Sequence, residues 1–333
     1  MGSQRHVVAI TIGDPAGVGP EIVLRALSNI AIYDHVIPLV VGSLSVLRRV
    51  GEVMGDSRPL INVRGRDSLR GIPETVEVYE VPIQGQEELI PGRVQRVGGL
   101  AADAYIRTAC ELARRGEVDA IVTAPISKES LRLAGIRGIG HTELLAEYLE
   151  SPDPLTVFIT GKMWVFFLSR HLSLRKAIDY ITEERLLGMI RRVDKVMKRM
   201  GFRSPRIGVA ALNPHASDGG QFGDEEAKVL APAIKQACRE GIRVVGPVGA
   251  DSIFYQALEG WYDCVISLYH DQGHIAAKTR DFFGTVTATL GLPVLRTSVD
   301  HGTAFDIAWK GKANATSMET AILKAAELLN RIE

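Results

Sequence analysis

Three histidines of this chain stand in the same kind of place. His171 lies in FFLSRHLSL, His215 in GVAALNPHASDGG and His270 in VISLYHDQGH, each just past a short apolar run. If those runs are strands of a parallel sheet, the histidines sit outside their carboxyl ends, where ligands collect in such folds. One histidine there is accounted for by an ordinary hydrogen bond. Three suit a divalent cation held by neutral imidazoles, with positions left open for a substrate. The glycines of ASDGGQFG would let the chain turn sharply enough to deliver His215. His6, His35, His274 and His301 lack the full context, and the first two read as structural or exposed.

Other segments carry polar groups at strand-to-helix junctions. In TIGDPAGVGPEI (11–22), Gly13, Gly17 and Gly19 make a turn and Pro20 takes a first helical position. Such a turn either aims backbone N–H groups at an anion or is a tight turn with no ligand. It is neither a P-loop nor a GxGxxG fingerprint. In TAPISKESL, Lys128 falls in the first turn of a helix, as a solvated lysine or a functional one. In GIGHTELLAEY, His141 and Thr142 open another helix, where Thr142 could serve only as its N-cap. The segment LRTSVDHGTAFDIAWKGKAN brings together Arg296, Asp300, His301, Gly302, Asp306 and Asn314. Arg296 could clamp a phosphate or carboxylate through two parallel bonds, and Lys278 upstream could act as a point charge.

The elements that must position these groups follow from the hydrophobic pattern. Runs such as HVVAITI, VIPLVV, DAIVTA and DCVISLY alternate with amphipathic stretches, which predicts βα units on a mostly parallel sheet. LTVFITGKMWVFFL (155–168) predicts a hairpin with a Gly-Lys turn, and residues 85–99 read as a long loop. At 333 residues the chain calls for one large or two medium domains. Lys+Arg and Asp+Glu both number 39, so no global charge draws it to nucleic acid or an anionic membrane. No apolar run is long enough to span a bilayer, and the N-terminus has no secretory pattern. The odd, scattered cysteines Cys110, Cys238 and Cys264 read as buried thiols of a reducing, cytoplasmic compartment.

The motifs GDPAGVGPE, TAPISK, GHTE, NPHASDGG, YHDQG and LGLPVLRTSVDHGTAFDIA, in that order, resemble the 4-hydroxythreonine-4-phosphate dehydrogenase family over essentially the whole chain. The likeness is closest to its D-threonate/D-erythronate 4-phosphate dehydrogenase branch. GDPAGVGPE and HGTAFDIAWKGKAN also look like the cofactor-side loops of isocitrate and isopropylmalate dehydrogenases. The resemblance implies an α/β, two-domain fold of that kind, with mostly parallel sheets and an active site in the cleft. Residues 1–135 plus 297–333 would carry the termini and cofactor loops, and 136–296 the metal and substrate residues. It implies a homodimer whose metal sites draw on both subunits.

Carried over by position, the resemblance makes His171, His215 and His270 the metal ligands. Substrate contacts fall on His141, Thr142, Lys278, Thr287 and Arg296. Cofactor contacts fall on Gly13, Asp14, Gly17, Gly19, His301, Gly302, Asp306 and Asn314. Thr287 stands where the biosynthetic branch has asparagine, and ASDGGQFG departs from that branch's glutamate-containing loop. The implied cofactors are NAD and one divalent ion: zinc, manganese, cobalt, nickel or magnesium. The implied reaction is oxidation of a 3-hydroxy acid 4-phosphate followed by decarboxylation, with Lys128 and Asp271 as proton-transfer candidates. A lysine near a cation should have a lowered pKa. The competing readings are 4-hydroxythreonine 4-phosphate as substrate, a phosphate acyltransferase, and a non-catalytic sugar-phosphate binding protein.

Overall fold

The structure is a computed structural model that describes residues 5–138 and 140–332. The chain divides into two compact units: Met1–Pro154 with Val286–Asn330, and Leu155–Thr285 with Arg331–Glu333. These boundaries differ from the expected ones at 135/136 and 296/297. Residues 136–154 pack with the first unit because their helix lies on that unit's long third helix. Residues 286–296 join it by strand pairing. His141, Thr142, Thr287 and Arg296 therefore belong to the first unit, and His171, His215 and His270 to the second.

In the first unit, strands β1 (His6–Thr11), β2 (Val36–Gly42), β3 (Leu60–Asn62), β4 (Val76–Glu80) and β5 (Ala120–Thr123) are short and β-branched. In the second unit come β6 (Leu155–Thr160), β7 (Met163–Phe167), β8 (Ile207–Ala210), β9 (Val244–Val248) and β10 (Cys264–Ser267). The chain then returns to the first unit with β11 (Val286–Leu290) and β12 (Leu295–Ser298). The first unit's order is β3-β4-β2-β1-β5-β12-β11, parallel except for β11 against β12. The second runs β6-β7-β10-β8-β9, parallel except for the β6–β7 hairpin. The expected Gly161-Lys162 turn joins that hairpin, with Gly161 at φ 57°. This is the mixed α/β architecture expected of the sequence. Among the described residues, no helix is long and apolar enough to cross a membrane.

Helices α1 (Gly19–Ala26), α2 (Leu44–Met54), α3 (Arg96–Arg114), α4 (Lys128–Leu133) and α5 (His141–Tyr148) belong to the first unit. The second holds α6 (Leu174–Tyr180), α7 (Glu183–Arg199), α8 (Ala231–Arg239), α9 (Ala250–Leu258) and α10 (His270–Arg280). The terminal α11 (Thr316–Ile332) packs mostly on the first. The first unit's core includes Ile10, Leu24, Leu39, Leu47 and Tyr105, all fully buried. The second's is built on Phe158, Val165, Phe167, Ile253 and Val265.

Helix α3 is where the pattern misled. Residues 96–99 are helical, not loop, and the two glycines there have a packing reason. A Cβ on Gly99 would stand 2.0 Å from the Ser130 carbonyl oxygen of α4. The glycines let α3 approach the turn that carries Asp14 and the helix that carries Lys128. The cysteine expectation also needs correction. Cys110 and Cys264 are buried, but Cys238 is exposed in the last turn of α8, its Sγ bonded to the Val244 carbonyl at 3.4 Å.

Gly99→Ala forces backbone against backbone, which side-chain adjustment cannot relieve. It should lower the unfolding free energy by about 1–3 kcal/mol, measured by urea denaturation. A variant as stable as wild type would show that α3 can shift away at no cost.

Candidate functional site

In the second unit, His171 follows β7 and His270 begins α10 as β10 ends. Their ring centroids are 6.1 Å apart. Both line a cavity of about 130 Å³ with Arg170, Leu174, Ala177 and Tyr269. His270 Nδ1 lies 2.6 Å from Asp271 Oδ1. That carboxylate favours the proton on Nδ1 and the lone pair on Nε2, the arrangement in which a histidine can serve as a metal ligand. Asp271 is therefore placed to orient His270. His274, which the sequence did not single out, stacks on His270 at 3.6 Å and packs against Phe158 and Phe167.

Two imidazoles on one tetrahedral ion, with bonds of about 2 Å, hold their centroids roughly 5 Å apart. The His171–His270 pair is close to that spacing, and its donors suit a borderline divalent ion. The third expected ligand does not join them. Among the described residues, no three His, Cys, Asp or Glu groups stand close enough to hold one ion. His215 is exposed, with its ring 6.4 Å from Phe222.

The loop that carries His215 is unusual in its backbone. His215, Ala216, Ser217 and Asp218 all have positive φ, at 53°, 53°, 66° and 45°, and Gly219 follows at 67°. They form one left-handed turn. Each residue with a Cβ costs about 1–2 kcal/mol in that conformation, so the flanks must hold it. The buried Glu226 does so from a single π-turn (Glu226–Leu230). Its Oε1 accepts the Leu212 and Asn213 amides at 2.9 and 2.7 Å, and its Oε2 accepts Asn213 Nδ2 at 2.8 Å. Burial alone would raise this carboxyl's pKa, but the bonds from Asn213 and Leu212 outweigh it and hold the pKa low.

The first unit contains a buried cation. Arg296 on β12 is 3% exposed. Its Nε and Nη2 donate to Thr123 Oγ1 at 3.1 and 2.6 Å, and its Nη1 donates to Thr289 Oγ1 at 3.1 Å. Among the described residues, no carboxylate pairs with it directly. Burial pulls its pKa down to about 9, while Asp300 and Glu143 act at a distance to raise it, so the charge remains at neutral pH. A buried guanidinium with only hydroxyl partners lacks the anion that would offset its desolvation.

Beside it, His141 opens α5. Its Nε2 is buried and has no hydrogen-bond partner. Burial first, and then the Arg296 charge, push its pKa well below 6.5, against a bond to the Ala124 backbone. The ring is neutral, with a buried ring nitrogen unengaged. Gly140 is the N-cap residue, so Thr142 does not serve as the N-cap. The exposed Lys128 begins α4 behind its Ser127 cap, and its Cε would lie 4.0 Å from a Cβ on Gly140. Thr287 is half-buried on β11, and its Oγ1 donates to Asp300 Oδ1 at 3.4 Å. In the second unit, Lys278 extends from α10 with Nζ 4.6 Å from the Phe282 ring centroid.

The glycine turn of the first unit is closed rather than open. Gly13, Asp14, Gly17 and Gly19 are all buried. Gly13 has φ 69°, and a Cβ there would meet the Pro125 carbonyl oxygen at 2.2 Å. Four amides of the turn have partners in the chain. Asp14 N donates to Pro125 O, Gly17 N to Asp14 O, Val18 N to Thr303 O, and Ala16 N to Asp14 Oδ1. The turn instead supports the segment after β12. Trp309 Nε1 bonds Pro15 O at 3.0 Å, and the fully buried Glu21 accepts Ala313 N at 2.7 Å. His301, Gly302, Asp306 and Asn314 are exposed along that segment. The exposed segment is thus the part able to meet a cofactor, with the glycine turn as its base.

A mixed α/β chain with a buried cation bonded, among the described residues, only to hydroxyls, and with imidazoles at strand exits, has parts that suit an enzyme acting on a small anionic substrate. Residues 34–325 match the family model described as "Pyridoxal phosphate biosynthetic protein PdxA". A Clostridium botulinum protein provisionally named D-threonate 4-phosphate dehydrogenase is 46% identical over 327 residues, 98% of each chain. A Halalkalibacterium halodurans protein of the same name is 47% identical over 325 residues, 98% of this chain and 97% of that one. The crystal structure of a Klebsiella pneumoniae 4-hydroxythreonine-4-phosphate dehydrogenase superposes with a TM-score of 0.91 at 42% identity, over 97% of this chain and 99% of that one. The chain belongs to the PdxA family and is an oxidoreductase of the dehydrogenase type.

Thr123 and Thr289 were not singled out from the sequence. Thr123 lies within TAPISK, and Thr289 is directly opposite Arg296 in the β11–β12 register, visible only once those strands are paired. Arg296→Met removes a buried charge whose only bonded partners among the described residues are threonine hydroxyls. It should leave the fold at least as stable as wild type while abolishing turnover, read by thermal melts beside the activity assay. Destabilisation by more than about 1 kcal/mol would mean that the charge is needed by the fold.

Glu226 supports a prediction in pH. Its folded pKa is lowered, so its contribution is present above the unfolded value of about 4.5 and lost as pH falls through the folded one. The stability gap between wild type and Glu226→Gln should be constant from pH 8 to about 5 and shrink below about 4.5. A gap that stays constant down to about pH 3 would remove the charge from the account.

Proposed function

We propose that this chain is a metal-dependent, NAD-linked dehydrogenase acting on a four-carbon 3-hydroxy acid 4-phosphate, D-threonate or D-erythronate 4-phosphate. Oxidation at C3 gives a β-keto acid and NADH, and loss of the carboxylate as CO2 gives dihydroxyacetone phosphate. The observation that carries this reading is Arg296, a buried cation whose partners are hydroxyls, beside an imidazole with an unengaged buried nitrogen. The names of the relatives support the substrate class.

In this reading Arg296 and Lys278 hold the anionic ends of the substrate. Neutral His141 accepts a hydrogen bond from a substrate hydroxyl, and Thr142 adds a donor from the first turn of α5. Lys128, exposed and beside Gly140, and Asp271 are the candidates for proton transfer, and Asp271 also fixes the His270 ring. When bound, the divalent ion would polarise the C3 oxygen and stabilise the enolate charge, and the nicotinamide would take the hydride. His171, His215 and His270 would hold the ion, with two copies of the chain as a homodimer contributing to each site. His301, Gly302, Asp306 and Asn314 would meet the dinucleotide.

One observation favours the alternative substrate, 4-hydroxythreonine 4-phosphate. The Asp300 carboxylate beside Thr287 could pair with a C2 ammonium. Against it, a short hydroxyl at Thr287 both donates and accepts, which suits a C2 hydroxyl.

NADH formation with threonate, erythronate and 4-hydroxythreonine 4-phosphates, and with the unphosphorylated acids, tests the reading. The 2-hydroxy acid phosphates should lead in kcat/KM, and the unphosphorylated acids should be very poor because remote binding energy is lost. Thr287→Asn should narrow the preference by roughly ten- to a hundredfold, the equivalent of one unpaired buried polar group. A wild-type preference for the amino substrate would establish the alternative. No NADH from any member of the panel would exclude the dehydrogenase reading of this site.

A further inference from the structure

The three strand exits that carry histidines are joined to one another by side chains that no functional role has claimed. The buried Gln272 is central. Its Oε1 accepts the Leu268 amide at 2.7 Å, just beyond β10, and its Nε2 donates to the Ala211 carbonyl at 2.8 Å, just beyond β8. Ser169 Oγ, just beyond β7, donates to the Leu268 carbonyl at 2.9 Å. The exit of β10 is thus bonded on one side to the exit leading to His171. On the other it is bonded to the exit leading to His215.

We infer that Gln272 is a positioning residue that fixes where the His215 and His270 exits stand relative to each other. The inference rests on the proposed metal role of the histidines. Its chemistry is specific. One end of the side chain must accept and the other must donate, both within the protein interior, and only an uncharged amide of this length does both. Glutamate would set a carboxylate against the Ala211 carbonyl. Methionine would fill the space and leave both backbone groups unpaired. Gln272 lies two residues after His270 on α10, so the amide that ties the exits together is built into the turn that presents that ligand. The left-handed turn at 215–219 begins only four residues beyond Ala211, with Glu226 bonding the two residues after Ala211. Displacement of Ala211 therefore passes to His215 through a short stretch whose first two amides are held by Glu226.

The test uses Co2+ as the probe, titrated into the full-length chain and its Gln272→Met and Gln272→Glu variants, with affinity by calorimetry and ligand geometry by visible absorption. The variants should bind Co2+ roughly ten- to a hundredfold more weakly, as for other groups that orient metal ligands, with altered visible bands. Inorganic phosphate affinity, which reports the Arg296 receptor of the other unit, should be unchanged; a general loss of stability would lower both. Should Gln272→Met lose its circular-dichroism spectrum, Gln272→Glu, which retains the bond to Leu268, carries the test. Wild-type affinity and bands in a folded variant would overturn the inference and leave the metal reading standing. A wild-type chain that binds no Co2+ would overturn both.

Discussion

A parallel strand that ends inside a protein leaves backbone groups that must be bonded before the chain can turn away. That constraint organises this molecule. At the exit of β8 the amides of Leu212 and Asn213 are taken by the Glu226 carboxylate. At β10 the Leu268 amide is taken by Gln272. In the first unit, the Asp14 amide beyond β1 is taken by the Pro125 carbonyl beyond β5. Each solution uses a side chain or a neighbouring exit, so the loops beyond the strands are bound to one another before any ligand arrives.

The two units use this in different ways. In the second, the bonded exits present imidazoles, and a strained left-handed turn is tolerated because its entrance is pinned by a buried carboxylate. In the first, pairing of the exits closes the glycine turn and makes it the base for an exposed polar segment. In the first unit a charge is buried without a paired anion among the described residues. Arg296 sits among threonine hydroxyls, which satisfy geometry without neutralising charge. The stability forgone there is available to an anionic ligand, and for that reason the buried guanidinium weighs more than any exposed lysine in the functional reading.

Much of this was legible in the sequence, and for identifiable reasons. The alternation of β-branched runs with amphipathic stretches depends only on local periodicity, so the strands, the hairpin at Gly161-Lys162 and the positions of His171, His215 and His270 beyond strand ends were readable directly. Residue type and local position marked Arg296 in a polar segment and His141 at a helix entry as candidates, while their burial and their nearness to one another came only from the fold. Glycine was the weak point. The pair at 98–99 read as loop because glycine is costly in a helix, and only the closeness of α4 shows why it is tolerated there. In the turn at 13–19, glycine pointed equally to an anion site and to tight packing. The burial of that turn and the partners of its amides decided for packing.

What the sequence determined by itself was the set of reactive groups and the elements beneath them, because both depend on residue type and short-range spacing. The tertiary structure alone decided which groups meet. Thr289 faces Arg296 through antiparallel register, and Thr123 reaches the same guanidinium from 173 residues away. Asp271 became an orienting partner of His270 once the β10 exit fixed that ring. The three histidines, equivalent in sequence, separated into a neighbouring pair and a third carried off on a left-handed turn. Those outcomes depend on the directions of side chains and on long-range hydrogen bonds, neither of which is encoded in the spacing of residues along the chain.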